Sequence, residues 1–125
     1  MNPSIYAATE APLYDFSRLG KLGQKPAFVR EIKQMFVLRV PAQLAELQTA
    51  METTNWVAVA QVAHSLKSTF GNLRMDECAG QLRQIEVLAQ RQEDQLQQLV
   101  ILRAVQATTE QIVNIFSHDL QSVAA

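Results

Sequence analysis

Apolar residues recur at three- and four-residue steps through most of the chain, the spacing that places them on one face of a helix. The first run opens at Pro26, a residue favoured in a first helical turn, and continues through Phe28, Val29, Ile32, Met35, Phe36 and Val40. Pro41 is expected to kink this helix, because proline removes a backbone donor and crowds the preceding turn. Leu44, Leu47 and Met51 then resume the stripe. A second run starts after Asn55, a good N-cap, and ends near Gly71-Asn72-Leu73. A third spans about Asp76 to Gln90, with Met75, Cys78, Leu82, Ile85 and Ala89 on one face. A fourth spans about Asp94 to Ser122, with Leu96, Leu99, Leu102, Val105 or Gln106, Thr109, Ile112 or Val113, Phe116, Leu120 and Val123 as its stripe. No segment sustains a period of two, so no strand is predicted. Four amphipathic helices with short connections predict an all-α, antiparallel up-down-up-down four-helix bundle. Residues 26–125 would form the bundle. Residues 1–25 would be a lead-in with one short helix near Ser17–Leu22, ended by Gly23.

Composition narrows the classes. A chain of 125 residues is one domain. With 48% hydrophobic residues and 18% charged ones it can bury a core and is not expected to be disordered. A net charge of −1 lacks the basic excess of a nucleic-acid binder. One Cys cannot form an intramolecular disulfide, and one Cys with two His cannot build a four-ligand zinc site, so no metal is expected on this chain. Pro3, Glu10, Pro12 and Asp15 stand where a signal peptide would need a cationic start and an apolar block. The apolar stretch Leu99-Val100-Ile101-Leu102, closed by Arg103, is far short of the roughly 20 residues of a membrane span. The expectation is a monomeric cytoplasmic protein with no membrane partner. The start at Met1 and the short tail after the last helix favour a stand-alone protein.

The second helix carries the chemistry. On a wheel of roughly 100° per residue, Ala58, Val59, Val62, Ala63, Leu66, Phe70 and Leu73 share one arc, with Thr69 inside it and Trp56 at its edge. His64 falls at the opposite pole, among Val57, Ala60, Gln61, Lys67, Ser68 and Gly71. Its neighbours Ala60, Ser68 and Gly71 are all small. Ser and Gly are poorer helix formers than the Glu, Lys or Gln that a solvated face would use. Small residues around an exposed side chain let another backbone approach closely. Lys67 adds a cation one turn along. A neutral imidazole nitrogen is nucleophilic near neutral pH, and a phosphoryl group on it would gain from the lysine charge. Phosphoryl transfer is mostly positioning and charge stabilisation, so an exposed His suffices if a partner brings the metal and the acceptor.

Ala63-His64-Ser65-Leu66-Lys67-Ser68, followed by Asn72-Leu73 and by Leu82-Arg83-Gln84-Ile85-Glu86, resembles the histidine-containing phosphotransfer (HPt) domain. That family's signature is His-x-Leu-Lys-Gly/Ser, a turn, then a helix ending near Leu-Glu. The resemblance covers about residues 14–122, with Pro41, Leu44, Leu47 and Asn55-Trp56 also in the family's habitual places. It implies that His64 accepts and donates a phosphoryl group through Nε2 and that Lys67 stabilises its charge. It implies that Ser68 fills the small position where the partner docks, and that Glu86 accepts a hydrogen bond from the imidazole Nδ1. Ala60 and Gly71 would share the close-approach role, and Val57 and Gln61 would contact the partner. The partners implied are response-regulator receiver domains or a hybrid sensor kinase. The protein would be a phosphoryl carrier and no enzyme in its own right. It would need no cofactor, the Mg²⁺ sitting on the receiver.

Arg74-Met75 departs from the usual Gly-Ala, so Gly71 and Asn72 are candidates for the left-handed residue of that turn. Glu86 could instead pair with Arg83 or Gln90 on its own helix. Cys78 reads as a small core residue, and His118 as a helix-end His with no assigned role. Two other functions compete. A degenerate bundle could serve as a protein-binding adaptor, needing neither His64 nor Lys67. A small helical enzyme or metal site is disfavoured by scattered carboxylates and by the lack of both a Glu-x-x-His pattern and a GxxxxGK[ST] nucleotide loop.

Overall fold

The computed structural model describes residues 13–124, with side chains to residue 122. The start of the expected lead-in, residues 1–12, lies outside the described residues. A 3-10 segment at Ser17–Gln24 precedes four helices. These are α1 Pro26–Glu52, α2 Trp56–Asn72, α3 Asp76–Gln90 and α4 Gln95–Ala124. α1 packs on α2 and α4, and α3 packs on α2 and α4, which closes the ring of an antiparallel bundle. Among the described residues there is no strand, and no helix is long and apolar enough to cross a membrane.

The helix starts follow the sequence signals. Pro26 opens α1, and the Asn55 side chain accepts from the Ala58 amide at 3.2 Å. Asp94 accepts from the Gln97 amide at 3.1 Å ahead of α4. α1 is a single assigned helix through Pro41, so the expected kink does not interrupt it. Packing of Val40 and Leu44 on either side of Pro41 holds the helix across the missing donor.

The helix ends differ from expectation in an instructive way. Each of the first three helices closes with the paired backbone hydrogen bonds of a Schellman motif. Asn55 donates to Ala50 and Thr54 to Met51 after α1; Met75 donates to Phe70 and Arg74 to Gly71 after α2; Glu93 donates to Leu88 and Gln92 to Ala89 after α3. The residue that must be left-handed is Thr54 (φ 52°), Arg74 (φ 55°) or Gln92 (φ 54°), and none is glycine. The turn after α2 therefore places its left-handed residue at Arg74, and not at Gly71 or Asn72, which remain helical.

The core stripe is the predicted one with two shifts of register. Phe36, Val40, Leu44, Leu47 and Met51 of α1 are buried, but Met35 is exposed. Every expected apolar position of α3, Met75 through Ala89, is buried. On α4, Leu96 is 74% exposed, while Gln98 is fully buried. The Gln98 amide donates to the Glu93 carbonyl at 2.9 Å, and the neighbouring Gln95 amide donates to the Met51 carbonyl at 2.7 Å. These glutamines bind turn carbonyls, which turns Gln98 inward and Leu96 outward.

Aromatic rings tie the lead-in to the bundle. Phe36 meets Phe70 and Phe116 edge-on, with centroids 5.7 and 5.3 Å apart. Tyr14 meets Phe116 at 4.9 Å, also edge-on. Such pairs add to the burial of apolar area. The Asp15 amide donates to the Leu73 carbonyl at 3.0 Å, which fastens the chain across the α2–α3 turn. Inside the 3-10 segment Gly20 takes φ 64°, breaking it into two short pieces.

Candidate functional site

α2 has two unlike faces. Val59, Ala63, Leu66 and Phe70 are buried and hold the helix against its neighbours. This inner stripe aims His64 outward, where its side chain is 62% exposed. Val57, Gln61 and Ser68 are exposed on the same side, and Ala60 and Gly71 are half-buried there. A Cβ built on Gly71 would meet nothing within 4 Å. Packing within the chain thus gives no reason for a glycine at this helical position, where it costs about 1 kcal/mol relative to alanine.

Glu86 joins the two candidate residues of α2. It stands on α3 beside the buried Ile85 and Leu82, with its own side chain only 14% exposed. One carboxylate oxygen, Oε2, lies 2.9 Å from His64 Nδ1. The other, Oε1, accepts from Lys67 Nζ at 3.2 Å. Glu86 therefore reaches across to α2 and does not pair along its own helix with Arg83 or Gln90. Burial pushes the Glu86 carboxyl up; hydrogen bonds from Lys67 and His64, together with the lysine charge, outweigh it and hold the carboxyl below the ordinary glutamate range. An ionised carboxylate only accepts. The hydrogen between the two groups thus belongs to Nδ1, and in the neutral ring the lone pair is left on Nε2.

Lys67 stands differently from the sequence expectation. Its side chain is 24% exposed and its ammonium is engaged with Glu86. The lysine and the imidazole share one carboxylate, an arrangement that only the packing of α3 on α2 could reveal. A shallow cleft of about 270 Å³, lined by Ala60, Gln61, His64, Glu86 and Gln90, opens on the α3 side of the imidazole.

Other titratable residues stand apart from this site. Cys78 is buried, and burial pushes its thiol up, against a nucleophilic role. His118 is exposed near the end of α4. Among the described residues no group of three or more His, Cys, Asp and Glu could hold a metal ion. Sequence reasoning missed a cluster at the far end of α2. Arg18 forms a bidentate pair with Asp76 at 2.7 and 3.0 Å, and one of its nitrogens also donates to the Gly71 carbonyl at 2.8 Å. Arg74 donates to Ser17 at 3.3 Å and lies 3.6 Å from the Asp15 carboxylate. The partners are more than fifty residues apart in the chain, beyond the reach of any local pattern.

Comparison with known proteins agrees with this fold. The family model for the Hpt domain matches residues 31–115. The crystal structure of histidine-containing phosphotransfer protein B (HptB) from Pseudomonas aeruginosa PAO1 superposes with a TM-score of 0.77 at 23% sequence identity, covering 90% of this chain and 98% of that one. No curated protein matches the chain. With a bundle of the same fold and a family match over most of its length, the chain belongs to the Hpt domain family, phosphocarrier proteins that work with the receiver domains and kinases of two-component systems.

Proposed function

We propose that the chain is a phosphorelay intermediary that takes a phosphoryl group from the aspartate of one receiver domain and passes it to the aspartate of another. The observation that carries this reading is the 2.9 Å contact between His64 Nδ1 and the Glu86 carboxylate on an otherwise open helix face. That contact leaves Nε2 as the basic nitrogen. In the forward step the Nε2 lone pair attacks phosphorus in the receiver's aspartyl phosphate. The bond between phosphorus and the aspartate oxygen breaks, and the carboxylate leaves with the electron pair. The ring becomes a phosphoimidazolium that keeps its Nδ1 hydrogen, and the Glu86 carboxylate offsets the new positive charge.

Donation runs the same steps backward onto a second aspartate. Lys67, which shares the Glu86 carboxylate with the ring, would offset phosphoryl charge after a rotamer change. Ser68, Gly71 and Ala60 leave room for the receiver backbone, with Val57 and Gln61 as contacts. In this reading Mg²⁺ is held by the receiver, whose carboxylates suit a hard cation, and the chain itself takes no cofactor.

The test incubates the protein with receiver domains charged by acetyl phosphate. Acid-labile, base-stable phosphate on wild-type protein and none on His64→Gln is the expected result. Receiver binding without any label on His64 would support the adaptor reading instead.

A further inference from the structure

The charge on α2 is one-sided. Between Glu52 and Asp76 the sequence contains no Asp or Glu, although it includes the whole exposed face of this helix. Its charged side chains are Lys67 and, in the turn beyond, Arg74, in a protein whose net charge is −1. Among the described residues the only carboxylate that reaches His64 is Glu86, already shared with Lys67. A partner whose surface carries carboxylates meets no like charge along this helix.

Arg18 extends that face at its far end. The 3-10 segment carries it over the α2 terminus, where its guanidinium holds the Gly71 carbonyl and the Asp76 carboxylate. The side chain is still 45% exposed, and Asp76 is 60% exposed. Water reaches both groups, so the guanidinium is accessible to another carboxylate from outside. Gly71 is seven residues from His64, about 10 Å along the helix axis. A standard interface buries about 800 Å² per partner, a disc of about 16 Å radius. A receiver centred on His64 therefore covers Arg18. On α3, Gly80 lies one turn beyond Asp76, and a Cβ there would meet nothing within 4 Å, so the ground beside Arg18 is also open to close approach. The segment that carries Arg18 precedes the stretch shared with the family, residues 31–115.

We infer that Arg18 is a partner-contacting residue: when an acidic receiver domain docks on α2, the guanidinium exchanges Asp76 for a carboxylate on the receiver's rim. This rests on the phosphorelay reading. Arg18 touches no reacting atom; it selects and steers the partner. The Gly71 carbonyl keeps the side chain aimed along α2 during the exchange.

The experiment compares Arg18→Gln, which removes the cation, with Asp76→Asn, which frees it. The probe is an acetyl-phosphate-charged receiver domain that labels wild-type protein. Labelling by phosphoramidate, a donor too small to need docking, reports on His64 itself, and thermal melts report on the fold. Arg18→Gln is expected to raise the half-saturating receiver concentration about fivefold and to flatten its dependence on salt. Asp76→Asn is expected to match wild type or bind more tightly. Equal weakening by both variants would mean that the pair only clamps the chain, and an unchanged Arg18→Gln would mean that the receiver docks elsewhere; either overturns the inference. Failure of phosphoramidate to label wild-type His64 would instead overturn the phosphorelay reading beneath it.

Discussion

His64 and Glu86 are 22 residues apart, on different helices, and meet at 2.9 Å between Nδ1 and Oε2. The contact exists because Ala63 and Leu66 of α2 and Leu82 and Ile85 of α3 are all fully buried between the two helices. Packing that excludes water on the inner side thus sets a hydrogen bond on the outer side. The tautomer of the imidazole is a consequence of the core.

The carboxylate that Lys67 and His64 share also makes stability depend on pH. The Glu86 carboxyl is held below its ordinary range, so its contribution is fully present above the unfolded value of about 4.3 and is lost as pH falls through the lower folded value. Glu86→Gln should remove this component. Denaturant unfolding of the two proteins from pH 7 down to pH 3 should show a larger loss of stability in the wild type. Parallel curves would reject the assignment.

Lys67→Ala should leave the fold intact, because it removes one ion pair with Glu86 and no residue of the buried core. It should slow phosphoryl transfer, or shorten the life of the phosphohistidine, by about tenfold. That is the rate equivalent of one charge-assisted hydrogen bond of about 1.5 kcal/mol. Acid-quenched time courses with a charged receiver measure both quantities, and wild-type values in a folded variant would exclude the role.

Ser68→Gln puts a long side chain on the exposed face one turn from His64. Thermal stability should stay within about 0.5 kcal/mol of wild type, as for most surface substitutions. Transfer from a receiver should be abolished or much reduced, while phosphoramidate still labels His64. Ala60→Glu should likewise reduce transfer and add repulsion toward an acidic partner. Wild-type relay rates in both variants would show that the partner docks elsewhere.

Thr54→Gly addresses the α1–α2 turn. A β-branched residue at φ 52° is strained. Glycine relieves about 1–2 kcal/mol of that and gives back about 0.5–1 kcal/mol through its freer unfolded chain. The net expectation is a gain of about 0.5–1 kcal/mol, or about 2–5 °C in Tm. A differential scanning calorimetry trace with no rise in Tm would contradict it.

The α2 stripe was legible in the sequence because Val59, Ala63, Leu66 and Phe70 repeat at helical spacing, and that repeat also places His64 outside. The pairing of Glu86 with His64 followed from family resemblance, and the packing of α3 on α2 supplies its physical cause. Local pattern failed where polar groups serve the backbone. Gln98 is buried because its amide satisfies the Glu93 carbonyl, whereas a reading by polarity turns it outward and turns Leu96 in. Arg74 was passed over because left-handed residues are sought among glycines. The hydrogen bonds from Met75 to Phe70 and from Arg74 to Gly71 impose that conformation on whatever residue stands there.

The division of α2 into a buried stripe and an open face also bears on how such a chain changes its allegiance. Val59, Ala63, Leu66 and Phe70 answer to the core and are costly to alter. Val57, Gln61 and Ser68 point away from it and are exposed, so substitutions there leave the fold largely untouched. With the partner docking as proposed, one helix would separate heritable stability from heritable choice of partner. A duplicated copy could be redirected to a new signalling pathway by a few exchanges along that face, without passing through an unfolded ancestor.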